Sequence, residues 1–414
     1  MGYLTFLQLN WRWLLAAFLL AFSSSYGQTF FISLFAGQIR EEFSLSHGAW
    51  GGIYTLATTA SALVMIWAGG LTDRFRVRRL GPLVLLALAV SCLAMAAVPS
   101  AMALIAVIFA LRFTGQGMTS HTAMVGVARW FVATRGRAMA IAALGFAAGN
   151  AVMPVMFVAL MSVMSWRTLW VLAAGMAVVF IPILLILLHK ERTPASISTS
   201  DSSPGMNGAH WKRREMLHHW LFWLMLPTFI GPAAWGTAMF FQQVHLTEVK
   251  GWSLAAFVAL FPLFTLTNIA ASFATGWAID RFGSGRVMSF YAVPYILTFV
   301  VMAVANDLTT ASVAMMLFGV ATGMGQASPG AFMAEHYGTR YIGSFKALST
   351  ALMVFGSAIG PGITGWLIDR GIMFPDQMYG IAAYFAVAGV LVVIGTSRAR
   401  ALLSGTPHID IERA

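Results

Sequence analysis

The sequence predicts an all-α membrane protein of twelve transmembrane helices, arranged as two pseudo-symmetric six-helix bundles with both termini in the cytoplasm. Three observations predict this fold: the composition, the spacing of the apolar runs, and a similarity between the two halves of the chain. Of the 414 residues, 59% are hydrophobic and only 9% are charged, whereas charged residues make up about 25% of a typical soluble domain. The bilayer is therefore the expected solvent, and a soluble enzyme or a disordered chain is excluded.

Apolar runs divide almost the whole chain into segments of the length needed to cross a bilayer, which is about 20 residues. The predicted spans are residues 13–38, 48–71, 80–99, 101–127, 137–160, 167–189, 219–244, 253–279, 286–305, 309–335, 343–367 and 378–397. The first run is too long for the apolar core of a signal peptide and lacks a small-residue cleavage site, so we expect it to be retained.

The positions of the basic residues predict the orientation. The net charge of +11 would suit nucleic acid if it followed one continuous face, but the lysines and arginines concentrate in alternate loops. The loops on the side of the termini hold 20 of the 25 basic residues, and the opposite loops hold four. This asymmetry predicts cytoplasmic termini in a bacterial-type inner membrane and no nucleic-acid partner.

A Ser, Thr and Pro-rich segment, residues 190–217, lies near the midpoint of the chain and has the composition of a solvated linker. It separates a predicted bundle of residues 1–189 from a second bundle of residues 218–397, which is followed by a cytoplasmic tail, residues 398–414. The single cysteine, Cys92, excludes a disulfide scaffold.

The two halves carry the same motifs. A GxxxDRF motif at residues 69–75 returns at residues 276–282, an offset of 207, which the tryptophans opening spans one and seven share. The GQG sequence at 115–117 is echoed by GMG at 323–325, an offset of 208. Three matches at nearly one offset indicate a duplicated six-helix unit, and parallel repeats of this kind occur in membrane transporters.

Over its whole length the sequence resembles the major facilitator superfamily of transporters. The residues that match the family's loop signature are Gly69, Leu71, Asp73, Arg74, Arg78 and Arg79. Arg76 replaces the second glycine of that signature, which the C-terminal copy keeps as Gly283. The resemblance implies secondary transport by alternating access between two six-helix bundles. It also implies a gate at the signature loops, formed by Asp73, Arg74, Arg78, Arg137, Asp280 and Arg281.

A narrower resemblance is carried by residues 23–37 and 135–138, which are similar to bacterial members near the monocarboxylate and oxalate/formate branch. One feature departs from that branch. Many monocarboxylate transporters carry an Asp and an Arg four residues apart in span eight, where this chain has Asn268 and Ser272. A carboxylate substrate would therefore need another cation.

Arg112 is that candidate, because it is the one basic residue predicted inside a span. It lies eleven residues into span four, roughly 16 Å deep in a core of about 30 Å, whereas all fourteen acids fall in loops or at span ends. We interpret the substrate as its counter-charge, and the alternative is hydrogen bonding to helix carbonyls as part of the packing. Helical phase places Gln116 and Thr119 on the face of Arg112, and His121 on the opposite face.

Further polar or aromatic residues at membrane depth are candidates for substrate contact, with interhelical hydrogen bonding or aromatic packing as the alternative for each. They are Tyr26, Gln28, Asn150, Trp235, Asn268 and Gln326. For His121 a polar contact between helices is favoured, and proton coupling is the alternative. No metal site is predicted, because no pair of His, Cys or acidic residues has i, i+4 spacing inside one span.

These features predict a transporter of a small organic anion, monocarboxylate-like, driven by proton symport. The expected partners are the anion, protons and membrane lipid, and we expect a monomer with no cofactor and no enzymatic activity. Two alternatives stay open. The content of 25 Met and 31 Phe would suit a proton-driven exporter of drugs or hydrophobic compounds, and a non-transporting sensor or scaffold would belong to another class.

Overall fold

Twelve helices long and apolar enough to cross a membrane are present in the computed structural model, which describes residues 3–131, 134–190 and 204–403. The predicted number of spans is confirmed. We label them α1 to α12: Thr5–Gly27, His47–Ala68, Val77–Ala96, Ala101–Trp130, Gly136–Leu160, Trp166–Leu187, Trp220–Phe241, Leu254–Phe282, Ser284–Val304, Leu308–Tyr337, Leu348–Asp369 and Phe374–Leu403. The end at which the odd-numbered spans begin is called proximal, and the end at which the even-numbered spans begin is called distal.

The even-numbered spans start at the distal end, and most of them start with a polar cap. In each case the capping side chain accepts a hydrogen bond from the backbone amide three residues further on, which satisfies one of the free amides of the first turn. The caps are Ser46 for α2, Ser100 for α4, Ser165 for α6, Ser253 for α8 and Asp307 for α10.

The first span differs from the prediction of one helix over residues 13–38. Its α-helix ends at Ser23, a 3₁₀ turn covers Ser24–Gly27, and Gln28 is extended, with φ −86° and ψ 152°. A short helix, Thr29–Ile32, follows. The serines explain the break, since Ser24 donates to the Ala21 carbonyl at 2.6 Å, and such side-chain bonds compete with helical backbone bonds.

Span α4 is also irregular where it crosses this break. Residues Arg112–Thr119 form a π-helix, and the Thr119 hydroxyl donates to the Thr114 carbonyl at 2.6 Å. A Cβ on Gly27 would lie 2.2 Å from the Leu111 oxygen, and a Cβ on Gly115 would lie 2.7 Å from the Gly27 Cα. Only glycine permits this approach of two backbones. Short π segments inside α-helices are frequent at functional sites.

The chain forms two compact units. The first unit contains α1–α6 together with residues Thr237–Thr265 and Ala358–Ile372, and the second contains the remaining described parts of the C-terminal half. The distal parts of α7, α8 and α11 therefore belong with the first six spans. The division into two six-helix bundles at the linker stays a prediction.

Part of the predicted linker is packed, which differs from the expectation of a solvated segment. Met206 is fully buried, and the Trp211 amide donates to the Tyr337 carbonyl at 3.2 Å at the end of α10. A Cβ on Gly205 would lie 2.4 Å from the His336 oxygen. Linker residues 191–203, and the tail from residue 404 onward, lie outside the described residues.

Candidate functional site

Arg112 lies at the crossing of α1 and α4 and is 1% exposed. Its Nη1 donates to the Gly27 carbonyl at 3.1 Å and to the Thr29 hydroxyl at 3.3 Å, on either side of the break in α1. The Thr29 hydroxyl lies 2.5 Å from the Tyr54 hydroxyl, and the guanidinium carbon lies 5.3 Å from the centre of the Tyr54 ring. Arg112 therefore binds the irregular backbone of α1 and a tyrosine of α2.

Two of the three guanidinium nitrogens of Arg112 donate no hydrogen bond to the residues that the structure describes. Nε and Nη2 are buried and have no partner among the described residues. A buried donor without a partner costs about 1–3 kcal/mol, and more when it is charged. A carboxylate satisfies two guanidinium donors at once through paired hydrogen bonds, so the arrangement is suited to holding an anion at this depth.

Helical phase in α4 was predicted for a regular α-helix, whereas Arg112–Thr119 is a π segment. Thr119 is fully buried, and its hydroxyl donates to the Thr114 carbonyl of its own helix. Gln116 is partly exposed. His121 bonds across to the start of the signature loop, with Nε2 3.2 Å from the Gly69 oxygen and 3.3 Å from the Thr72 hydroxyl.

Among the other candidates of the first six spans, Tyr26 is placed in the packing. It is fully buried, its ring packs edge-on against Phe31 at 5.4 Å, and its hydroxyl lies 3.5 Å from the Met176 sulfur. This placement favours the packing alternative for Tyr26 over a substrate contact. Gln28 is partly exposed at the break, and Asn150 is buried with its Oδ1 accepting no bond from the described residues.

The candidates of the second unit form two separate groups. Asn268 donates to the Thr322 hydroxyl at 2.6 Å and accepts from Gln326 at 2.9 Å, which joins α8 to α10. Trp235 packs edge-on against Tyr384, with ring centres 5.7 Å apart. Tyr384 was not predicted from the sequence; its hydroxyl donates to the Pro227 carbonyl at 2.7 Å in the proline-containing span α7.

The predicted proximal gate is described only in part. The Asp73 side chain lies outside the described residues. Arg74, Arg137 and Asp280 are exposed, Arg78 donates to the His189 carbonyl, and Arg281 lies over the Trp277 ring. Arg129 donates to the Thr72 carbonyl and, with His121, ties the signature loop to α4.

A distal hydrogen-bond network within the first unit was also missed. Gln243 donates to the Phe30 carbonyl at 3.0 Å and to the Ser33 hydroxyl at 2.8 Å. The Asp369 carboxylate accepts from the Ser46 hydroxyl at 2.7 Å and from the Gly48 amide at 2.9 Å, at the N-terminus of α2. In the sequence, the two adjacent glutamines Gln242 and Gln243 were the signal that could have indicated this network.

The fold and the site define a helical membrane transporter with a buried cation beside a broken first span. The family model of the Major Facilitator Superfamily matches residues 17–361 and again residues 259–408, so the chain belongs to this superfamily. This confirms the family prediction, and it makes the protein a transporter and not an enzyme. No curated protein matches the chain.

Solved structures show the same fold. A bacterial homologue of the human lysosomal transporter Spinster, inward-facing and occupied, is 17% identical; the match covers 95% of this chain and 96% of that one, with a TM-score of 0.68. Its unoccupied form is also 17% identical, with coverage of 96% and 98% and a TM-score of 0.68. A mutant of the nucleoside transporter NupG is 12% identical, with coverage of 94% and 99% and a TM-score of 0.67.

Proposed function

We propose that this protein takes up a small organic anion, of the monocarboxylate type, together with protons across a bacterial-type inner membrane. The observation that supports this most is the geometry of Arg112, which is buried at mid-span with two of its donor nitrogens unpaired among the described residues. A charged group at this depth is costly and usually marks a functional site. A carboxylate bound there would pair both the charge and the two donors.

The break in α1 supports the same proposal. Non-helical backbone at membrane depth is tolerated where it is buried in protein or lines a cavity, and discontinuous helices form the substrate sites of many transporters. Here Arg112 fastens both sides of the break, through Gly27 and Thr29. The extended Gln28 lies between these two contacts and is only partly buried, so its side chain is our second candidate for substrate contact.

The distribution of acids limits how a proton could be carried. On the predicted spans all fourteen acids fall in loops or at span ends, so no mid-membrane acid is available as the proton carrier. A coupled proton would then be carried by the substrate's own carboxyl group or by His121, and the remaining alternative is transport without a proton. The distal network around Gln243 and Asp369 would serve as the outer gate of an alternating-access cycle, and the signature loops as the inner gate.

The test is equilibrium binding and uptake by the purified, reconstituted protein. Radiolabelled carboxylates are screened in proteoliposomes with and without an inward proton gradient, beside a neutral hydrophobic dye. We expect gradient-driven accumulation of a carboxylate, and near-abolished binding of that carboxylate by Arg112→Gln. The matched control is Arg12→Gln, the same charge change at an exposed position of α1, which should bind as wild type.

Two results would overturn this proposal. Wild-type affinity in a folded Arg112→Gln variant would assign Arg112 to helix packing. Export of the dye with no carboxylate bound would favour the drug or hydrophobic-compound exporter. The structural neighbours do not decide between these outcomes, because at 12–17% identity they show the fold alone.

A further inference from the structure

A second group of chemically active side chains lies at the distal end, away from Arg112. It consists of His47, the first residue of α2, with His245 and Glu248 on the short helix Gln243–Lys250 that connects α7 and α8. One ligand atom from each of the three residues lies within 4.8 Å of the other two. The two imidazole rings meet edge-on, with their centres 4.5 Å apart.

The local backbone brings these ligands together. His245 and Glu248 are three residues apart on one helix, so their side chains lie on the same face. His245 is 6% exposed whereas Glu248 is exposed. The group therefore has a buried imidazole and a carboxylate at the solvent side, which gives an ion an entry path.

The charges facing the group suit a divalent cation. Glu248 and Asp369 bring two negative charges, and Arg40 brings one positive charge close enough to act on both acids and on both histidines.

We propose that His47, His245 and Glu248 form a binding site for a divalent transition-metal ion such as Zn²⁺. Two imidazoles and a carboxylate, completed by water, are a ligand set that Zn²⁺ accepts at about 2.0–2.2 Å from each atom. Ligand atoms around such an ion lie closer than 4.8 Å, so small side-chain rotations complete the site. The bound ion joins the start of α2 to the α7–α8 connection.

A bound ion would have a functional consequence, and this part rests on the proposed function. If the distal network is the outer gate, an ion that links its two sides keeps that gate closed and inhibits transport. The site is thus an inhibitory one, distinct from the substrate site. Its three ligands lie just outside the predicted spans, within which no metal site was expected.

The test uses the full chain without a histidine tag, in detergent, so that it does not depend on a substrate. Zn²⁺ binding is measured by calorimetry, and Co²⁺ is added as a spectroscopic probe of tetrahedral nitrogen and oxygen ligation. Removing a residue that only hydrogen-bonds a metal ligand already lowers metal affinity about 10–100-fold. Loss of a direct ligand in His47→Gln or His245→Gln should therefore weaken Zn²⁺ binding by at least about tenfold. Glu248→Gln, an exposed change that spares folding, should also weaken it. His218→Gln, which removes a histidine from the proximal side, is the matched control and should bind as wild type.

Hydrogen exchange supplies the second readout. Saturating Zn²⁺ should slow amide exchange at residues 46–50 and 243–250 of the wild type and leave both segments of His245→Gln unchanged. Zn²⁺ binding that is equal in wild type and His245→Gln, or binding that protects neither segment, would overturn the site. Neither measurement uses carboxylate transport, so a failure here is distinct from a failure of the Arg112 proposal.

Discussion

The two halves of the chain share a duplicated framework but differ at the positions that surround Arg112. At the offsets of 207 and 208 that relate the repeats, Thr29 and Tyr54 correspond to Gly236 and Phe261, and Arg112 corresponds to Val320. A hydrogen-bonded polar group in the first half is thus matched by glycine and apolar side chains in the second. Each half builds the same kind of helices, but only the first half buries a charge at this point.

The backbone differs at the same points. Span α4 contains the π segment Arg112–Thr119, whereas α10 is α-helical throughout Leu308–Tyr337. Gly27 lies in the break of α1, whereas its counterpart Ala234 lies within the helix of α7. Duplication therefore accounts for the framework, and the departures from the repeat mark the candidate site.

The largest effect should come from Arg112→Lys, which keeps the positive charge but removes the planar guanidinium. A lysine ammonium cannot bind Gly27 and Thr29 and also pair two donors with a carboxylate. We expect substrate affinity to fall by more than about tenfold, since hydrogen bonds to charged groups are worth about 1.5–3 kcal/mol each. Equilibrium binding measures this.

The conservative change Val320→Ile in the second half is the control, and it should leave affinity unchanged. Equal losses in the two variants would remove the distinction between the halves, because the site would then not depend on the charge in α4.

A methyl group at the helix crossing should have the next largest effect. In Gly27→Ala the new Cβ would lie 2.2 Å from the Leu111 carbonyl and 2.7 Å from the Gly115 Cα, both of which are backbone atoms. Overpacking of this kind costs about 1–3 kcal/mol or more. We expect a clearly lower unfolding temperature in detergent. The reverse change at the counterpart, Ala234→Gly, should cost roughly 1 kcal/mol as a helix-propensity effect. Similar stability of Gly27→Ala and wild type would show that the crossing is looser than the contacts indicate.

The contrast between the halves also explains what the sequence could and could not predict. Hydrophobic length and the repeated GxxxDRF motif predicted all twelve spans and the superfamily, because both depend on many residues at once. Arg112 could also be identified as a buried cation, because a charged residue at membrane depth is rare. The break in α1 was not predicted, because serines and glycines also occur in continuous membrane helices.

Contacts between distant parts of the chain were the least predictable. The bonds of Gln243 to the α1 region, and of Asp369 to the start of α2, join residues more than 200 positions apart. No local pattern distinguishes such a glutamine from one at the membrane surface. The π segment of α4 was not predicted either, because helical phase was counted for a regular α-helix.

A smaller effect is expected at the signature loop of the first half, which His121 contacts. A Cβ on Gly69 would lie 3.5 Å from His121 Nε2, whereas a Cβ on Gly276 would meet nothing within 4 Å. We expect His121→Gln, which keeps a hydrogen-bonding side chain, to retain proton-driven uptake. His121→Ala should speed amide exchange at residues 69–75 in the first half and leave residues 276–282 unchanged. Loss of gradient-driven accumulation in His121→Gln, with exchange of substrate preserved, would instead make His121 the proton carrier.

The smallest effect concerns an exposed ion pair at the distal end of the first half. Arg167 Nη2 lies 2.5 Å from Glu42 Oε1, and the residue at the offset of 207 from Glu42 is Val249. The hydrogen bond from Arg167 holds the pKa of Glu42 below its ordinary value of 4.5. The charged pair therefore stabilises the fold above that value, and the contribution is lost as the pH falls through the lowered pKa of Glu42.

An exposed pair of this kind is worth about 1 kcal/mol or less, so Glu42→Gln should lower the unfolding temperature slightly at pH 7. The difference from wild type should shrink as the pH falls below 4.5 and vanish once Glu42 is protonated in the folded protein. Glu41→Gln removes the neighbouring exposed carboxylate and should show a much smaller difference over the same range. A Glu42→Gln effect that is constant with pH would mean that Glu42 acts through its packing and not through its charge.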